Sequence, residues 1–64
     1  MHTDQPFYSA VGRKLCQQRE RCGLTQEALA GKVGLTRTSI TNIEKGRQRV
    51  VLHTFIDIVS ALGV

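Results

Sequence analysis

Three residues, Gly34, Leu35 and Thr36, separate two short helical patterns, and that spacing constrains the chain more than any other feature. Before it, QEALAGKV opens behind Thr25, whose hydroxyl suits a helix N-cap, and carries Glu27 in the first turn, where the helix dipole favours an anion. Leu24 stands where it can staple onto Leu29, and Gly34 is the residue type that closes a helix in the left-handed conformation. After it, RTSITNIE opens behind Thr36, Leu35 and Ile40 repeat the staple spacing, and Gly46 is the stop. Helices joined this closely cannot continue as one rod and must turn sharply, so a helix-turn-helix is expected over about residues 25–45.

Two further helical patterns flank this pair. The first runs from about Pro6, a favoured first-turn residue, to Arg21, with Val11, Leu15, Arg19 and Cys22 along one stripe and Gly23 after it. The last covers roughly Val51 to Leu62, with Leu52, Phe55, Ile58 or Val59, and Leu62 as the expected core stripe. Nothing reads as a strand, so the expected class is all-α, one domain over residues 1–64. Gly31 lies inside the second helix, where it costs about 1 kcal/mol relative to alanine.

A chain of 64 residues buries only about 60% of the surface its unfolded form exposes, which leaves little stability in reserve and no room for a deep cleft. No Ser, His and Asp arrangement, carboxylate pair or phosphate-binding glycine loop is present, so no enzymatic activity is expected. Cys16 and Cys22 lie six residues apart on one helix, about 9 Å of rise, too far for a disulfide. With His2 and His53 they lack zinc-ligand spacing, so neither a metal nor a cofactor is expected; the thiols should be buried or half-buried, and His53 a surface residue. No apolar run approaches the ~20 residues of a membrane span, and MHTDQPFYSA lacks the features of a secretory signal, so a soluble protein in the reducing cytoplasm is expected, with no membrane partner.

Nine basic residues against five acidic give a net charge of +4, which favours a polyanionic partner. The excess is concentrated: Arg37, Lys45, Arg47 and Arg49 face only Glu44 between residues 37 and 49. On a wheel of about 100° per residue centred on Ile40, Ile43 and Glu44 point inward; Thr38, Asn42 and Lys45 point outward, with Thr41 on the flank. The outward face is thus a strip of short hydrogen-bonding side chains, with Arg37 at its N-terminal tip. That inventory suits base edges in the DNA major groove, where arginine pairs with guanine, asparagine with adenine, and the threonine methyl meets thymine. Arg37, Thr38, Thr41 and Asn42 are therefore the expected base-reading residues. Lys45, Arg47 and Arg49 are expected to flank the groove on phosphates, while Arg13 and Lys14 read as a solvated face. The N-terminus of the second helix, with its free N–H groups, is a further expected phosphate contact. Arg19 and Glu44 both lie on inward stripes, and two buried charges of opposite sign should pair, leaving Arg19 at most a secondary phosphate contact.

QEALAGKVGLTRTSITNIE resembles the helix-turn-helix of the lambda and lambdoid repressor and Cro family, which includes xenobiotic-response-element-type regulators. Gln26, Ala30, Gly34, Ile40 and Ile43 fall in register, and the similarity spans about residues 12–64. The resemblance implies a compact domain of four or five short helices, a phosphate contact from Gln26 that also braces the first reading side chain, and the Arg19–Glu44 bridge. It implies a sequence-specific double-stranded-DNA-binding transcriptional regulator, a repressor acting as a homodimer on a pseudo-palindromic operator. Its setting would be the cytoplasm of a bacterium or a phage host, on the nucleoid. The alternative is a protein-interaction module, such as an antitoxin or bridging factor. Where similar proteins carry proline and a serine-like cap this chain has Val50 and Val51, and Ile56 replaces a usually polar residue. Those three form an exposed apolar group suited to a dimer contact or an absent partner, and a fifth helix or C-terminal domain beyond Val64 is expected.

Overall fold

The computed structural model describes residues 5–63; His2 and the Val64 terminus of the readings above lie outside them. Four helices follow one another: α1 (Gln5–Arg21), α2 (Gln26–Val33), α3 (Arg37–Glu44) and α4 (Leu52–Ala61). No strand occurs among the described residues, and no helix among them is long and apolar enough to cross a membrane.

The caps that punctuate the sequence form as expected. The Thr25 hydroxyl accepts from the Ala28 N–H at 3.0 Å and that of Thr36 from the Ser39 N–H at 3.1 Å, each meeting a donor that the first helical turn leaves unpaired. Gly34 closes α2 at φ 71°, a left-handed conformation open to glycine at little cost, and the Leu35 N–H reaches back to the Ala30 carbonyl at 2.9 Å. α3 ends in the same way: the Gly46 N–H bonds to Ile43 O at 3.1 Å and the Arg47 N–H to Asn42 O at 2.9 Å.

α3 packs against both α1 and α2, and α2 also packs against α4. Leu15, Leu29, Ala30, Ile40, Ile43, Ile58 and Leu62 are the buried core, with Leu24, Leu35, Val50 and Phe55 partly buried against it. Both inward isoleucines expected on α3 are in that core. Leu52 is not, being 73% exposed. Ile58 and Leu62 set the inward direction of α4, and Leu52 lies about 120° around the helix from Ile58, so the expected stripe was drawn from the wrong start. Cys22 is also exposed rather than buried, because it follows the last residue of α1; its Sγ donates to the Leu62 carbonyl at 3.2 Å. Cys16 is half-buried and His53 exposed.

Two glycines determine how closely α3 sits on α1. A Cβ on Gly12 would collide with the backbone carbonyls of Ile43 and Glu44, and one on Gly46 would lie 2.6 Å from the Ser9 nitrogen. The last turn of α3 therefore rests directly on the α1 backbone.

Candidate nucleic-acid interface

The inner face of α3 is fixed by two isoleucines and one ion pair. Arg19 Nε donates to Glu44 Oε2 at 2.6 Å and Nη2 to Oε1 at 3.1 Å, a two-pronged contact between side chains only 10% and 6% exposed. Arg19 Nη1 donates to the Leu24 carbonyl at 2.8 Å and Nη2 also reaches Cys16 Sγ at 3.5 Å. Four of the five N–H groups of the guanidinium are thus engaged inside the protein, which ties Arg19 to the interior.

Burial pushes the Glu44 carboxyl up, but hydrogen bonds from Arg19 and Gln26 outweigh it and hold the group below its ordinary value. The same bond to Glu44 raises Arg19 further against the opposing effect of burial. Cys16 is pushed up, first by burial and then by its hydrogen bond to Glu44, so its thiol stays protonated at neutral pH. Among the described residues no buried side-chain nitrogen or oxygen lacks a hydrogen-bond partner.

The outer face carries the expected reading residues. Arg37 and Thr38 are exposed, and Thr41 and Asn42 are half-buried. Lys45, Arg47 and Arg49 are exposed on the segment that follows. Gln26, the first residue of α2, is engaged at both ends of its amide: Nε2 donates to Glu44 Oε1 at 3.0 Å and Oε1 accepts from Thr41 Oγ1 at 2.9 Å. The side chain it braces is Thr41, in the middle of α3, and not Arg37 at its tip. The reason is reach: Thr41 and Glu44 are three residues apart and share a helix face, so one amide spans both.

Sequence reasoning missed the Gln26–Thr41 bond and the close approaches at Gly12 and Gly46. A glycine inside a helix at a cost of about 1 kcal/mol is the available signal for Gly12; the wheel sets Thr41 on the flank beside Glu44 and Thr38 outward, but that Gln26 reaches that flank depends on how α2 crosses α3.

Two capped helices joined by a three-residue turn, the second held rigidly inward and polar outward, make this a helix-turn-helix domain. A sequence profile of the helix-turn-helix domain family matches residues 10–64, and the chain belongs to that family. It is 47% identical over 47 residues, 73% of its length, to an uncharacterised HTH-type transcriptional regulator of Methanothermobacter thermautotrophicus, covering 68% of that protein. Over 54 residues, 84% of its length, it is 37% identical to a transcriptional regulator in the ATPase CF(0) region of Rhodospirillum rubrum, spanning half of that relative. The restriction-modification controller protein C.AhdI from Aeromonas hydrophila is similar in structure, with a TM-score of 0.92 at 30% identity over 98% of this chain and 91% of that one.

Proposed function

We propose that this chain is a sequence-specific double-stranded-DNA-binding transcriptional regulator, acting as a repressor and as a homodimer on a pseudo-palindromic operator. One observation carries the reading: α3 buries Ile40, Ile43 and the Glu44 carboxylate while its other face offers Arg37, Thr38, Thr41 and Asn42, with cations following. A rigid helix with short donors and acceptors on one side is what major-groove readout requires. Arg37, Thr38, Thr41 and Asn42 read bases; Lys45, Arg47 and Arg49 contact phosphates, joined by the Gln26 N–H that Glu44 leaves unused. The Arg19–Glu44 pair is structural. Residues 1–64 act as a single DNA-binding domain in the cytoplasm, without catalysis, and repression follows from occlusion of the promoter.

Selection from a random duplex library at moderate salt tests this. The expected product is a palindromic consensus with half-sites about 34 Å, one helical turn, apart, because two recognition helices then enter successive major grooves on one face. Arg37→Ala is expected to lose preference at one position, at about 1–3 kcal/mol, while Arg47→Ala weakens binding evenly across sequences. A library that emerges without enrichment would overturn the proposal.

A second reading, a protein-interaction module, is favoured by one observation: Phe7, Val51, Leu52 and Ile56 are all more than half exposed. It expects partner binding to survive neutralisation of Arg37, Lys45, Arg47 and Arg49, and the DNA reading expects those changes to abolish binding.

A further inference from the structure

The hydrogen bonds behind α3 run in one direction only. An ionised carboxylate accepts and cannot donate, so Glu44 Oε1 obliges Gln26 to turn its NH2 toward it, at 3.0 Å. The Gln26 carbonyl must then face the other way, and it meets Thr41 Oγ1 at 2.9 Å. A carbonyl also only accepts, so the Thr41 hydroxyl proton is committed to Gln26. What Thr41 has left for any ligand is its lone pairs and its methyl group. A free threonine hydroxyl rotates to donate or accept as needed; this one cannot donate outward without stranding a half-buried amide oxygen.

We propose that the chain from Arg19 through Glu44 and Gln26 to Thr41 fixes the polarity of the reading surface. Thr41 meets DNA as an acceptor, and selects the orientation of a base pair that turns an exocyclic amino group toward it. The inference rests on the DNA-binding reading of α3. Each Watson–Crick pair presents one amino group in the major groove, adenine N6 or cytosine N4, and one carbonyl, thymine O4 or guanine O6. An acceptor-only side chain is attracted to the first and repelled by the second, so it distinguishes a pair from its reverse. Gln26 is a positioning residue here, acting on the base through Thr41. The depressed titration of Glu44 keeps its carboxylate ionised through the neutral range, so the direction of the chain does not vary there.

The test begins with the selected consensus. Comparison of wild type with Thr41→Val identifies the base pair whose preference depends on the hydroxyl. At that pair the amino-bearing base is replaced by an analogue with hydrogen in place of that group, purine for adenine or 2-pyrimidinone for cytosine. In a separate duplex the carbonyl-bearing base is replaced by its carbonyl-free analogue. Loss of the amino group is expected to weaken wild type about 2- to 12-fold, the range of one net hydrogen bond, and to leave Thr41→Val no weaker than on the unmodified duplex. Thr41→Ser retains the hydroxyl and is expected to retain the amino dependence. Gln26→Ala frees the hydroxyl to rotate, so preference at this pair relaxes while other positions keep theirs. A hydroxyl-dependent loss on carbonyl removal, or loss of the amino dependence in Thr41→Ser, would overturn the proposal. So would a Thr41→Val consensus unchanged at every position, with the DNA reading left standing. A wild-type protein that enriches no sequence sinks both.

Discussion

At Glu44, burial and hydrogen bonding oppose each other, and hydrogen bonding prevails. Because its folded pKa lies below the unfolded one, the carboxylate contributes stability that is complete above the ordinary carboxylate value of about 4.3. That contribution is lost as pH falls through the depressed folded value. Glu44→Gln is therefore expected to flatten the acid limb of a stability-versus-pH profile measured by urea unfolding; an acid limb identical to wild type would remove Glu44 as its source. Truncating one partner leaves the other charge buried and unpaired, so Arg19→Met or Glu44→Ala should cost about 3–5 kcal/mol. Gly12→Ala is expected to destabilise as well, because the added methyl group has backbone carbonyls of α3 in its place and neither can move aside alone. The pairing of Arg19 with Glu44 could be anticipated from two opposite charges on inward stripes. The obstruction at Gly12 could not, since it depends on how deeply α3 settles onto α1.

The helices differ in how their stability is supplied. α3 is made of threonine, serine, asparagine and isoleucine, all mediocre helix formers, and holds its shape through the Thr36 cap and its packing against α1 and α2. Thr36→Ala should cost about 1 kcal/mol, read as a lower midpoint in thermal unfolding. α2 and α4 leave stability ungained. Gly31 is exposed, with open space where a Cβ would go, so Gly31→Ala is expected to stabilise by up to about 1 kcal/mol. Val51 occupies the N-cap of α4 at φ −73° and ψ 155° without any side-chain bond, and Val51→Asp should supply one, worth about 0.5–2 kcal/mol in the same measurement. Each helix could be read from caps, stops and periodicity. The direction of α4 could not: an apolar helix with Leu52, Phe55, Ile58, Val59 and Leu62 offers more than one plausible stripe, and only packing against α2 selects among them.

For the molecule as a whole, the relevant quantity is charge against a polyanion. If each domain neutralises about four phosphates, a dimer's affinity should fall with salt at a log–log slope of about −7, close to ten-thousand-fold between 50 and 200 mM. A slope near zero in a fluorescence titration would remove the electrostatic half of the DNA reading. Four helices, their caps, the sharp turn between α2 and α3, and the sorting of α3 into apolar and polar sides are all legible along the chain. Those follow from local rules: periodicity, side-chain capping and the conformational freedom of glycine act within a few residues. It takes the packing of the helices to bring Gln26 onto Thr41 and Glu44, to turn Leu52 outward, and to seat α3 on α1 at Gly12. Those depend on distances between helices, which no pattern along one of them encodes.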